Sequence, residues 1–278
     1  MARRPSPSPA AGGSGSWRRE PSTEVRRTGR MPVVGEGSPV VLAESEGVTA
    51  PLEWEPHAHE YHELVWITGG TLTTRVGDRV FTVSEGAALW LPAGQVHSGR
   101  LTAGSEFFDA FFEPERTPVR FDEPTAIVLS PVLASLLEYL QRTDLDAGAR
   151  ARAEAVVFDV LETSERPLVL RVPGDPRIDP IAEALLADPA DGRGLEEWSR
   201  ALGVSERTIT RAFRSTTGLS FVQWKQSLRV HLALSLLAEG HDVQTTSELL
   251  GYAQSSTFIE AFRRVMGTTP GAYPHAAS

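Results

Sequence analysis

Residues 202–218 are LGVSERTITRAFRSTTG and residues 250–267 are LGYAQSSTFIEAFRRVMG, so the end of the chain contains one pattern twice. In each copy a glycine turns the chain, small polar residues open a helix and a second glycine closes it. The helix has apolar residues at the same three positions in both copies: Ile209, Ala212 and Phe213, then Phe258, Ala261 and Phe262. A helix with one apolar face behind a tight turn predicts a helix-turn-helix unit, and the sequence predicts two.

Helical periodicity extends around both copies. It predicts helices at 195–201, 206–216, 221–239, 242–250 and 257–265. The long helix at 221–239 would hold the two units apart, so that they could enter successive major grooves about 34 Å apart on one side of a DNA duplex.

The second helix of the first unit carries polar side chains opposite its apolar face. They are Glu206, Arg207, Thr210, Arg211 and Arg214. Arginine can donate two hydrogen bonds to the O6 and N7 atoms of guanine, which suits a helix in the major groove. Exposed arginines also occur in ordinary helical bundles, so the repetition of the whole unit is what favours DNA recognition. The sequence therefore predicts a sequence-specific transcription regulator.

Further motifs surround the two units. They are Thr217-Gly218-Leu219-Ser220-Phe221, Arg229, Leu249-Leu250-Gly251-Tyr252, Ser256, Ala261-Phe262-Arg263-Arg264 and the run from Gly267 to Tyr273. Together they resemble the signature of the AraC-type transcription regulators. The resemblance implies base contacts by Arg207, Thr210 and Arg211 in the first unit, and by Ser255, Ser256 and Thr257 in the second. It implies phosphate contacts, which position a protein without specifying sequence, by Arg214, Lys225, Arg263 and Arg264.

Two positions depart from that family's pattern. Glu260 stands where many members carry a base-contacting arginine, and Thr246 replaces an aliphatic residue in the first helix of the second unit. A carboxylate at position 260 would repel phosphate or select the N4 amine of cytosine. We therefore expect the first unit to make most of the sequence-specific contacts.

The charge distribution limits how the protein can bind DNA. The net charge is −9, with +5 in residues 1–30, −16 in residues 31–192 and +2 in residues 193–278. The C-terminal region must therefore bind DNA through a few well-placed arginines. The chain has no cysteine, which excludes disulfides and thiolate chemistry. Because the apolar runs are too short to span a bilayer and no secretory signal is recognisable, we expect a cytoplasmic protein.

The expected fold is a multidomain α and β protein, with an N-terminal β-barrel followed by an all-α domain that contains the two helix-turn-helix units. Composition and pattern predict four regions. They are a disordered basic tail at 1–35, a sensor barrel at 36–122, a helical connector at 123–175 and a DNA-binding domain at 176–278. Runs at 71–76 and 80–83 predict a hairpin in the barrel. Apolar helices at 131–140 and 150–161 suit either a dimer interface or packing on their own barrel. The resemblance to AraC-type regulators, which are commonly dimers, implies a homodimer.

Histidines concentrate in the predicted barrel. His57, His59 and Glu63 are separated by even numbers of residues, so a strand carrying all three would direct them to one face. His97, on a later strand, could supply a third nitrogen. Three nitrogens and one oxygen suit a divalent transition metal such as Mn, Fe, Ni, Cu or Zn. His62 lies at an alternate position of such a strand and is expected to face outward.

The same segment resembles the two motifs of the cupin fold. They are met by His57, His59, Glu63 and Gly70, and by Gly86, Pro92, Gly94 and His97. The resemblance implies that all four usual metal-ligand positions are filled. An empty pocket, or histidines that hydrogen-bond an effector, remains the alternative. An effector pocket is expected at Trp66, Trp90 and Phe108, with Trp54, Phe111 and Phe112 as further candidates, unless these aromatic residues fill the core.

The sequence thus predicts a transcription regulator that binds double-stranded DNA and is controlled by a small molecule or metal in its cupin domain. RNA polymerase is a further candidate partner. The alternative is a metal-dependent cupin enzyme, of dioxygenase or isomerase type, fused to a DNA-binding domain. We expect no enzymatic activity, because no other acid, base or nucleophile constellation accompanies the candidate ligands.

Overall fold

The computed structural model describes residues 22–27, 41–118 and 121–273. Its strands are β1 Glu24–Arg26, β2 Val41–Val48, β3 Leu52–His57, β4 His62–Thr68, β5 Leu72–Val76, β6 Arg79–Val83, β7 Ala87–Leu91, β8 His97–Leu101, β9 Ser105–Phe112, β10 Thr125–Val128 and β11 Val169–Arg171. They form two facing sheets, in the orders β1-β3-β8-β5-β6-β11 and β10-β7-β4-β9-β2. The expected N-terminal β fold is confirmed, and so is its hairpin, which consists of β5 and β6.

The alternation of side chains along each strand separates two apolar layers. One face of the five-stranded sheet packs against the other sheet through residues such as Val65, Ile67 and Leu89. The neighbouring positions on the same strands, such as Leu64 and Trp66, point the other way. This period of two places adjacent residues of one strand in different surroundings.

Two helices cover the outer face of the five-stranded sheet. They are α1 Pro131–Leu140 and α2 Ala147–Asp159. Leu133, Leu137 and Val157 are completely buried against that sheet. The sequence leaves open a dimer interface or packing on the same barrel, and the structure shows that the apolar faces of both helices pack on their own barrel.

Three short strands lie where the sequence indicates none. Strand β1 falls within the segment expected to be disordered, and it is held by parallel pairing with β3 and by a two-fold hydrogen bond from Arg26 to Glu46. The rest of residues 1–35 lies outside the described residues. Strands β10 and β11 fall within the expected helical connector and pair with the edge strands β7 and β6. Backbone pairing with an available edge outweighs their weak local pattern.

The C-terminal region is helical, as predicted. Its helices are α3 Asp179–Ala187, α4 Leu195–Leu202, α5 Glu206–Thr217, α6 Phe221–Ala238, α7 Val243–Leu249 and α8 Ser255–Met266. Ser205 and Asp242 cap α5 and α7 by accepting backbone N–H groups, and Gly218 and Gly267 end α5 and α8 in the left-handed conformation. None of the helices in the described ranges is both long and apolar enough to cross a membrane.

The barrel and the helical region pack directly on each other. Val80 and Leu170 of the barrel belong to the same apolar cluster as Trp224 of α6. Beside this cluster, Oγ1 of Thr82 lies 2.8 Å from Nδ1 of His231. The segment between the two regions is thus part of a packed interface.

Candidate functional site

Three buried side chains converge inside the sensor domain. His59, Glu63 and His97 each offer a ligand atom, and these atoms lie within 4.8 Å of one another. Nε2 of His59 is 2.9 Å from Oε2 of Glu63, and Nε2 of His97 is 3.5 Å from the same oxygen. Two imidazole nitrogens and one carboxylate oxygen are therefore directed at one point.

Backbone carbonyls orient the histidine rings. Nδ1 of His59 lies 2.8 Å from the carbonyl oxygen of Tyr61, and Nδ1 of His97 lies 2.9 Å from that of Gln95. His57 makes the corresponding contact through Nδ1, at 2.7 Å from the carbonyl oxygen of Glu55. A carbonyl that accepts from Nδ1–H favours the tautomer in which Nε2 carries the lone pair, as a metal ligand requires. At His59, Nε2 instead forms a hydrogen bond with Glu63, and a metal would have to displace the proton of that bond.

His57 lies beside this group and is not one of the three converging donors. Its ring centroid is 4.3 Å from that of His97 and 6.4 Å from that of His59. The predicted strand carrying His57, His59 and Glu63 together is wrong, since His57 ends β3 in one sheet and Glu63 lies on β4 in the other. The chain crosses between the sheets in residues 58–61, so the residues meet across the barrel instead of along one strand.

The charges of the cluster shift the titration of its histidines. Burial lowers the pKa of His59, but the hydrogen bond and negative charge of Glu63 outweigh burial, so the pKa lies above its ordinary value. For His97 burial dominates and the pKa is lowered. Glu63 thus interacts most strongly with His59 when no other cation is present.

A cavity of about 50 Å³ adjoins the cluster. Trp54 and Phe107 line it, with ring centroids 5.0 Å apart. Trp66, Trp90 and Phe108, where the sequence predicts an effector pocket, do not line this cavity, because these rings lie in the layer that packs against α1 and α2 on the opposite side of the five-stranded sheet. Trp54 is among the further candidates that the sequence predicts, whereas Phe107 is not, because a difference of one position along a strand reverses the face.

His62 and the remaining aromatic candidates have separate positions. The ring of His62 packs against Trp90 at a centroid distance of 5.2 Å, and its Nδ1 accepts a hydrogen bond from the backbone N–H of Ala93. It is therefore directed away from the cluster, in line with its alternate position. Phe111 contacts the ring of His59 edge-on, and Phe112 lies in the layer under α2.

The helical region presents two polar helix faces. On α5, Arg207, Arg211 and Arg214 are exposed, whereas Ile209 and Phe213 are completely buried. On α8, Ser256, Thr257, Arg263 and Arg264 are exposed and Ser255 is half-buried. The predicted inward and outward faces of both helices are confirmed.

Comparison with known proteins agrees with both halves of the chain. Residues 198–275 match the family described as a helix-turn-helix domain, and residues 45–116 match the AraC-like ligand binding domain. The HTH-type transcriptional regulator NimR of Escherichia coli (strain K12) is 31% identical over 240 residues, which are 84% of this chain and 85% of that protein. The chain belongs to the AraC family of transcription regulators.

Other similar proteins cover smaller parts or are more distant. The HTH-type transcriptional regulator RipA of Corynebacterium glutamicum is 28% identical over 214 residues, which are 76% of this chain and 61% of RipA. The DNA-binding domain of AdpA, solved in complex with a target DNA, is 31% identical over 36% of this chain and 90% of that domain, with a TM-score of 0.33. ToxT of Vibrio cholerae, solved with an unsaturated fatty acid, is 13% identical over 84% of this chain and 93% of ToxT, with a TM-score of 0.35.

This AraC-family protein is a DNA-binding transcription regulator with a ligand-binding domain. One of its expected phosphate contacts is engaged elsewhere, since Nζ of Lys225 donates hydrogen bonds to the carbonyl oxygens of Asp191 and Arg193. Burial lowers the pKa of Lys225. The two departures from the family pattern differ in setting, because Glu260 is exposed on α8 and Thr246 is completely buried.

Proposed function

We propose that the sensor domain of this regulator holds a divalent transition metal through His59, Glu63 and His97, with His57 as an adjacent fourth ligand. The observation that supports this is the convergence of three buried donor atoms within 4.8 Å. The donor set is of the type used for Zn, Ni, Mn and Fe. When bound, the metal would supply a divalent charge and an open coordination position for an effector at one end of the cavity.

Metal content tests this proposal directly. Protein purified without a His-tag should contain about one metal per chain, and His59→Ala should lose it because a buried ligand is removed. His62→Ala is the matched control, since this neighbouring histidine faces away from the cluster, and it should retain the metal. The proposal fails if the wild-type protein contains no metal and added Zn, Ni or Mn leaves its melting temperature unchanged.

We further propose that the cavity controls DNA binding through the contact between β5 and α6. Leu72 and Thr74 of β5 line the cavity. The hydroxyl of the preceding residue, Thr71, lies 2.8 Å from that of Ser235 on α6. Because α6 joins the two helix-turn-helix units, a shift of β5 would change how the units are set relative to each other. An effector acts in this way only if it binds one arrangement more tightly than the other.

In the DNA complex we propose that Arg207, Thr210 and Arg211 of α5 contact bases, and that Ser255, Ser256 and Thr257 of α8 make the second, weaker set of base contacts. We propose phosphate contacts for Arg214, Arg263 and Arg264. Exposure of the three arginines supports this, whereas the engaged ammonium of Lys225 makes its phosphate contact the least supported.

The unequal roles of the two units can be measured by gel shift on fragments found by genome-wide mapping of bound DNA. Arg211→Ala should abolish specific binding, because a two-fold hydrogen bond to guanine accounts for about 1–3 kcal/mol of discrimination. Glu260→Ala should leave binding intact or improve it, since it removes a carboxylate from a helix that approaches phosphates. The opposite order of effects would show that the second unit dominates.

We propose that the regulator acts as a homodimer. The outward sides of α1 and α2 still expose Val132, Tyr139 and Val156 after the helices have packed on the barrel. Sedimentation should give a dimer at micromolar concentration, and a monomer both with and without DNA would contradict the proposal.

A further inference from the structure

Two carboxylates face each other across neighbouring strands at the barrel cavity. Glu44 on β2 is paired directly with Asp109 on β9, and both line the cavity. Like charges at directly opposite positions of a sheet destabilise it. Asp109 is only 7% exposed, and the charges that act on it, from Glu63, Glu44 and Glu46, are all negative. The fold therefore concentrates acidic groups at this point.

The cations near the cavity are already engaged with other carboxylates. Arg26 donates two hydrogen bonds to Glu46, at 2.7 and 2.8 Å, and one to Glu24. His59 is paired with Glu63. Within the described ranges this leaves Glu44 and Asp109 without a cationic partner. Burial raises the pKa of Asp109 to about 8, helped by its acidic neighbours, so this carboxyl must stay protonated unless a cation joins it.

The other walls of the cavity decide what kind of cation fits. Trp54, Phe107, Leu72 and Val65 surround the two acids. Aromatic faces attract organic cations, whereas Ca²⁺ and Mg²⁺ prefer six or more oxygen ligands, including waters, and the apolar walls named here offer none. A volume of about 50 Å³ has room for about three to five water-sized groups. The enclosed part therefore suits a compact, positively charged head group.

We propose that the effector of this regulator is a small organic cation whose ammonium group binds between Glu44 and Asp109, against Trp54 and Phe107. The proposal rests on the proposed function in one respect, since it takes this cavity as the effector site. It does not require that the histidine cluster holds a metal.

Isothermal titration with matched pairs of compounds tests the proposal. The tag-free protein is titrated at constant ionic strength with ethyl-, n-propyl- and benzylammonium chloride, and with the corresponding neutral alcohols. At least one ammonium ion should bind tenfold or more tightly than its alcohol. Asp109→Asn and Glu44→Gln should each lower the affinity for that ammonium ion by about tenfold, which is the size expected when one charged contact is lost. Glu115→Gln, an exposed site outside the cavity, should have no effect.

Two results would overturn the proposal: no ammonium ion binds more tightly than its alcohol, or both carboxylate variants keep the wild-type affinity. Glu44 is half-buried, so Glu44→Gln remains informative if Asp109→Asn folds poorly. The metal content of each variant separates this proposal from the previous one. Asp109→Asn should retain the metal of the wild type, whereas His59→Ala should lose metal, and selectivity for the ammonium ion should survive treatment with a chelator.

Discussion

Acid should weaken the packing between the barrel and α6, because His231 must be neutral in the folded protein. This histidine is only 4% exposed at the interface, with Nδ1 2.8 Å from Oγ1 of Thr82. Burial lowers its pKa from 6.5 to about 4. In the unfolded chain the ordinary value of 6.5 applies, so the two states bind different numbers of protons between these pH values.

The direction and size of the effect follow from this difference. Between pH 6.5 and pH 4 the unfolded chain binds a proton at His231 that the folded chain does not, so the free energy of unfolding falls as the pH is lowered. With these two pKa values the loss between about pH 7.5 and about pH 5 amounts to about 2 kcal/mol. Below pH 4 it approaches about 3 kcal/mol.

Urea unfolding across this pH range, followed by circular dichroism, measures the effect. His231→Asn provides the comparison, because its amide can occupy the position of Nδ1 and does not titrate. Other groups titrate in both proteins, so the difference between the two pH profiles isolates His231. The reasoning is refuted if the wild type and the variant lose the same free energy between pH 7.5 and pH 5.

Two further predictions concern the second helix-turn-helix unit, and thermal unfolding checks both. A Cβ at Gly251, where φ is +72°, would lie 2.7 Å from the Cα of Ala190. Gly251→Ala should therefore lower the free energy of unfolding by about 2–4 kcal/mol. Gly267 has a similar φ but open space around it, so Gly267→Ala should lower the free energy by only about 1 kcal/mol. Equal losses would show that the contact with Ala190 is unimportant. Thr246→Val should stabilise the protein by about 1 kcal/mol, because the Thr246 hydroxyl is buried without a hydrogen-bond partner among the described residues. A lower melting temperature would contradict this.

The helical region could be predicted closely from the sequence because its signals are local. The period of 3.6 residues, the capping side chains and the closing glycines all lie within one or two turns of the element they define. The observed bounds of α5 and α6 differ from the predicted ones by a single residue. Strands β10 and β11 could not be predicted, because they form by pairing with β7 and β6, respectively, which lie far away in the sequence.

The candidate site shows a different limit of sequence reasoning. His57, His59 and Glu63 were grouped by their even spacing, which is meaningful only within one strand, yet the chain changes sheets between them. Glu63 and His97 meet because β4 and β8 belong to facing sheets, and His59 lies in the connection between β3 and β4. The sequence predicts Phe108 in the pocket and does not point to Phe107, because both faces of the sheet are apolar and the pattern does not indicate which one faces the cavity.

The packing between the two regions explains how an event in a small cavity could reach the DNA. The predicted helical connector contains β11, and the indole N–H of Trp224 on α6 donates a hydrogen bond of 2.6 Å to the carbonyl oxygen of Arg171 in that strand. The barrel therefore contacts α6 along one side, through β11 and through the β5–β6 hairpin. A helix held in this way cannot turn independently of the sheet, and both helix-turn-helix units are attached to its ends. Small changes in the position of β5, β6 or β11 should for this reason alter DNA affinity, because each of them lies at a hydrogen bond between the barrel and α6.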